Sequence, residues 1–165
     1  MIKVIHKLII TFCFVLCGCL MLQAVTQNTN EVKAENKKVL LLFDDPYQVL
    51  DTMINDICAY KNVDAYPIQS QINIQDYDII LIGESIDSSN IPSIPIKNFL
   101  TSHNLNNKMI SYFWIGGTSH DTYESQLRHY INSPYIISGI GFNGDEISEV
   151  SYVKDSLHQW LDTIV

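Results

Sequence analysis

Two stretches constrain this chain more than any others. Lys38-Val-Leu-Leu-Leu-Phe43 and Ile79-Ile-Leu-Ile-Gly83 are apolar without alternation. A strand that is hydrophobic on both faces must be covered on both faces, and a parallel sheet between two helical layers does this. Val63 to Ile68, Met109 to Ile115 and Tyr135 to Ile140 supply three further strands. Between them, Val49, Leu50, Met53, Ile54, Ile57 and Cys58 recur at helical spacing, as do Leu127, Tyr130 and Ile131, and then Val153, Leu157, Trp160, Leu161 and Ile164. Pro95 opens a shorter helix through Phe99 and Leu100.

Five apolar strands alternating with helices specify the α/β class, a three-layer sandwich on a five-stranded parallel sheet. Right-handed crossovers leave few topologies, and order 2-1-3-4-5 is the expectation. Asp44, Asp45 and Pro46 read as acidic caps and first-turn proline of the first helix, and Asp121 with Glu124 as a capping box. Ligands of such sheets bind beyond the carboxyl ends of the strands. Three loops form that edge, residues 44–48, 84–93 and 116–120.

With 47% hydrophobic and 17% charged residues, the chain has the composition of a packed domain, expected at 36–165. Residues 1–34 differ. Lys3 and Lys7 precede an uncharged run from Leu8 to Leu22, and a polar tail leads to Ala34. This is the layout of a secretory signal peptide. Val32-Lys33-Ala34 offers one cleavage site and Ala24 a second. Leu16-Cys17-Gly18-Cys19 resembles a lipobox that would place a lipid on Cys19, and an uncleaved membrane anchor is the remaining alternative. The expected location is therefore extracellular, or anchored on the outer face of the cell membrane, with the membrane touched only through this segment. From Glu35 onward, seven Lys and Arg face seventeen Asp and Glu, a balance of −10 that argues against nucleic acid as a partner. One cysteine, Cys58, remains there, read as a core residue.

Several segments in succession resemble the flavodoxin-like proteins. They are Asp76-Tyr-Asp78-Ile-Ile-Leu-Ile-Gly83, the helix from Pro95 to Leu100, the strand from Lys108 to Phe113, Gly116-Gly117, and the end from Ile137-Ser-Gly139 to Gln159-Trp160-Leu161. The resemblance implies an FMN site on the three loops and electron transfer to a redox partner protein. Its cofactor-binding candidates here are Asp45, Tyr47, Glu84, Ser85, Trp114, Gly116, Gly117, Thr118 and Ser119. Tyr47 or Trp114 would stack on the flavin, and Gly117→Ala would matter only with a ligand in place.

The first loop departs from the family. Flavodoxin-like proteins hold the flavin phosphate on a Ser-, Thr- and Gly-rich loop at a helix N-terminus. Here it reads Asp44-Asp45-Pro46-Tyr47-Gln48, with two carboxylates and a residue lacking an amide. The second loop, Glu84-Ser-Ile-Asp-Ser-Ser-Asn90, lacks the family's large aromatic residue. By resemblance the leading expectation is an exported FMN electron carrier with a degenerate phosphate loop; the alternative, which the first loop favours, is a cofactor-free, flavodoxin-derived binding or structural module at the cell surface.

Other patterns carry little. Gly139-Ile-Gly141-Phe-Asn-Gly144 matches the dinucleotide fingerprint but lies on the last strand, with Asp145-Glu146 where a pyrophosphate would go. His103, His120, His129 and His158 have no metal-type spacing, and Gly83-Glu-Ser85 lacks the second glycine of a hydrolase elbow.

Overall fold

Val39, Leu40, Leu41 and Leu42 are all buried, yet their side chains enter two different cores. Successive residues of a strand point to opposite faces, so a run of four apolar residues supplies two residues to each layer. The computed structural model of the chain, which describes residues 37–143 and 146–165, arranges five strands into one sheet. They are β1 (Val39–Asp44), β2 (Val63–Pro67), β3 (Ile79–Ile86), β4 (Met109–Gly116) and β5 (Ile140–Phe142), all parallel and in the order β2-β1-β3-β4-β5. Class and order are those expected.

Helices α1 (Asp51–Tyr60) and α4 (Val150–Asp162) cover one face, closing Met53, Ile57, Val153, Leu157 and Trp160 over Leu41, Leu81 and Phe113. Helices α2 (Ile94–Ser102) and α3 (His120–Tyr130) cover the other, with Ile96, Phe99, Tyr123 and Leu127 over Leu42, Ile80 and Tyr112. Among the described residues, no helix is long and apolar enough to cross a membrane. The leader, with Cys19, Ala24 and Ala34, lies outside the described residues, as do Gly144 and Asp145.

Three sequence expectations are corrected. The first helix does not start at Asp44 to Pro46. A turn intervenes, with Gln48 N–H donating to the Asp45 carbonyl at 3.2 Å and Gln48 at φ 56°, and α1 begins at Asp51. Helix α3 is capped by Ser119, whose Oγ accepts from Thr122 N–H at 3.4 Å, rather than by Asp121 and Glu124. Glu124 is instead engaged by Tyr112 Oη at 2.7 Å and Arg128 Nη2 at 2.8 Å.

The last strand is also shorter and later than 135–140. The carbonyls of Ile137 and Ser138 turn toward Ser111 Oγ, which donates at 3.2 and 3.3 Å, and Trp160 Nε1 donates to Ser138 at 3.3 Å. Side chains thus take ladder positions, leaving one isolated bridge between Ile136 and Ile110 before β5 proper.

Gly139 and Gly141 of the fingerprint match have a packing role. A Cβ at Gly139 would collide with the Tyr112 ring, and one at Gly141 with the Trp114 indole. The two rings lie across a strand that presents no side chains to them. Overfilling a packed site costs about 1–3 kcal/mol. Gly141→Val will accordingly lower the thermal midpoint by several degrees in circular dichroism melts, while Ile140→Val on the same strand shifts it far less.

Candidate functional site

The carboxyl edge of the sheet is where a ligand of this topology would bind, and two acidic residues stand on it side by side. Asp44 ends β1, and in the sheet register it stands beside Glu84 of β3. Asp45 follows. Its carboxylate accepts from Val49 N–H at 3.1 Å and Leu50 N–H at 2.8 Å, the last amides before α1. The side chain of Leu50, at the cap position itself, makes no such bond. A carboxylate therefore lies on backbone amides just ahead of a helix, an arrangement that otherwise suits a bound anion.

β3 runs to Ile86, so Glu84 and Ser85 belong to the strand and not to a loop, and they are buried. Glu84 is 1% exposed. Its carboxylate accepts from Ser93 N–H at 2.6 Å and from the Tyr123 hydroxyl, tying β3 to the start of α2 and to α3. Burial pushes the Glu84 carboxyl above the usual range, with the Asp44 charge adding to this, against the pull of those two donors. The same burial, with Glu84 beside it, pushes the Tyr123 hydroxyl well up.

Asn90 joins the second loop to the third. Its Oδ1 accepts from Thr118 N–H at 2.8 Å and Ser119 N–H at 3.0 Å, and its Nδ2 donates to Thr118 Oγ1 at 2.9 Å. Asn90 has φ 55°, a backbone state that asparagine tolerates better than most residues. Gly116 and Gly117 sit at φ 95° and 75°. A Cβ on Gly117 would stand 2.6 Å from Asn90 Oδ1 and 2.7 Å from Ile86 Cδ1. Its freedom is used by the fold itself, so the expectation that Gly117→Ala matters only with a ligand is corrected: the substitution is strained in the bare protein.

The remaining candidates separate. Trp114 is 2% exposed, packed between Tyr112, Tyr123 and His120, so it is not placed to stack on a ligand at the edge. Tyr47 is 56% exposed on the first loop and could stack. Besides Asp56 Oδ2 and His158 Nε2, which face each other at 2.9 Å, two buried polar atoms have no hydrogen-bond partner among the described residues, Ser85 Oγ and Trp114 Nε1. Strand alternation puts them on opposite faces of the sheet, Ser85 toward α1 and α4 and Trp114 toward α2 and α3. They do not converge on one ligand.

Taken as a host for FMN, these residues fit poorly. The amides ahead of α1 are held by Asp45, the Thr118 and Ser119 amides by Asn90, and the Ser89 amide by Asp87 at 2.8 Å. Asp45 was legible as a sequence feature of the first loop. Asn90 was not singled out, although an asparagine after Ser-Ser and before Ile-Pro is a turn signal.

A second concavity was not foreseen from the sequence. Between α1 and α4 runs a groove of about 580 Å³, floored by Met53, Ile115, Val153 and Leu157.

No protein-family model matches this chain, and no curated protein matches it. Solved structures do. A presumed flavoprotein of Bacteroides eggerthii aligns at TM-score 0.59 and 19% identity, over 78% of this chain and 98% of its own. One from Bacteroides uniformis aligns at TM-score 0.59 and 16% identity, over 78% and 99%. A Lactobacillus acidophilus flavoprotein solved in complex with FMN aligns at TM-score 0.49 and 19% identity, over 70% and 99%. The fold of this chain is flavodoxin-like, in strand order and in layers.

Proposed function

We propose that this chain is an exported, flavodoxin-derived binding module that works on the outer face of the cell without FMN. One observation carries the reading: the Asp45 carboxylate lies on the Val49 and Leu50 amides, where flavodoxin-like proteins would place the phosphate. An internal anion and a flavin phosphate compete for the same donors and repel each other. The tie from Asn90 to Thr118 and Ser119 supports the same conclusion for the second and third loops. The basic and apolar leader supports export, with release after Ala34 or Ala24, or retention through Cys19 or an uncleaved anchor.

A second reading keeps the family's chemistry. The exposed Tyr47 beside a flavodoxin-like edge favours an FMN-binding electron carrier serving a redox partner protein, with FMN supplying the redox chemistry. In that reading Tyr47 and the backbone at Gly116 and Gly117 would hold the flavin. The absorbance of the purified protein between 350 and 500 nm, followed by an FMN titration, separates the two. A colourless protein with FMN affinity weaker than micromolar is the expected result. Flavin absorbance that survives dialysis, or micromolar binding, overturns the cofactor-free reading.

A further inference from the structure

We propose that the groove between α1 and α4 is a binding site for a small organic cation with an apolar body. This rests on the binding-module reading and gives it a ligand class. The volume, about 580 Å³, suits a small molecule, since such sites run from roughly 300 to 1,000 Å³ and are mostly apolar with a few polar groups. The floor is Met53, Ile115, Val153 and Leu157, and the mouth leaves two aliphatic side chains in water, Val49 at 45% and Val150 at 68% exposure. An apolar surface that continues from an open mouth to a buried floor is what an apolar body would cover.

The charges decide the head group. Among the described residues that line the groove the one cation is Lys154, whose Nζ lies 3.4 Å from Asp56 Oδ1, and Asp56 Oδ2 also faces His158 Nε2 at 2.9 Å. Lys154 is thus matched within the wall and offers little to an anion. The flanking charges are acidic: Asp51 directly precedes Thr52 of the lining, and Glu149 directly precedes Val150, both exposed. The chain from Glu35 onward adds an excess of ten negative charges, counted as seven against seventeen. Ser85, 3% exposed and with its Oγ unpartnered among the described residues, stands beside Ile115 in the sheet register, on the face that floors the groove.

The test uses three probes with one shared body: 4-phenylbutylamine, 4-phenylbutanol and 4-phenylbutyrate. They are titrated into the purified protein by calorimetry and by saturation-transfer NMR. The amine will bind at least tenfold more tightly than the acid, with the alcohol between them. Thr52→Trp, at an exposed position on the wall, will abolish binding of all three while circular dichroism shows the fold intact. The pair Asp51→Asn and Glu149→Gln will bring amine and alcohol together. Failure of every probe, an acid as tight as the amine, or undiminished binding in Thr52→Trp overturns the proposal. An FMN titration on the same samples keeps the two readings apart. FMN binding unaffected by Thr52→Trp would defeat the cofactor-free reading and leave the groove untouched, whereas silent probes without FMN binding would defeat the groove alone.

Discussion

Exchanging the segment Asp44-Asp45-Pro46-Tyr47-Gln48 for a Ser-, Thr- and Gly-rich loop will tighten FMN binding roughly thirtyfold, and riboflavin binding hardly at all. A carboxylate about 5 Å from a phosphate charge repels it by about 1–3 kcal/mol at the effective dielectric of a protein surface. A middle value of about 2 kcal/mol corresponds to that factor. The exchange also frees the Val49 and Leu50 amides, which Asp45 holds at 3.1 and 2.8 Å. It removes the positive φ of Gln48, 56°, as a source of strain. Riboflavin has the same ring system and no phosphate, so a gain confined to FMN assigns the effect to this loop. Flavin fluorescence titrations of both ligands against both proteins measure it. Equal gains for the two flavins, or none for FMN, would show that the carboxylates are not what opposes the phosphate.

The parts of this fold that could be read from the chain are those where one physical demand dominates a contiguous segment. β1 and β3 announce themselves because burial on both faces removes polar residues from consecutive positions. The carboxyl edge then follows from topology alone, and Asp45 falls on it as anticipated, at the end of β1 and ahead of α1. What stayed hidden depends on partners far apart in sequence. Trp114 looks like a stacking residue until pairing with β5 sets Gly141 beneath its ring, a match that spacing within either segment does not contain. Asn90 reaches Thr118 and Ser119 across 28 and 29 positions, so its service to the third loop has no local signature. The delayed start of α1 has a similar cause. The Asp45 cap works across an intervening turn, so acid and proline signals mark the turn and not the helix.

Glu84 did leave a signal, an acidic residue directly after the apolar run from Ile79 to Gly83, and its removal should be the most damaging single change at this edge. Glu84→Ala leaves Ser93 N–H and the Tyr123 hydroxyl without their acceptor in a site that is 1% exposed. Each buried donor left unpaired costs about 1–3 kcal/mol, so a loss of about 3 kcal/mol or more is expected in chemical unfolding. Glu84→Gln keeps the length and an acceptor oxygen, and will cost far less. The two forms also differ in pH dependence. Burial holds the Glu84 carboxyl above its ordinary 4.5 in the folded chain, so between 4.5 and the folded value the native state binds more protons than the unfolded state. Stability then falls with rising pH through that window. The contribution of protonated Glu84 is fully present below 4.5 and is gone above the folded value. Glutamine does not titrate, and every other carboxyl is common to both proteins. Plotted against pH, the stability of Glu84→Gln relative to wild type will therefore rise from about pH 4.5 and level off once Glu84 has ionised. Parallel profiles from pH 4 to 8 would mean that Glu84 titrates as an ordinary carboxyl, and that Tyr123 and Ser93 offset its burial in full.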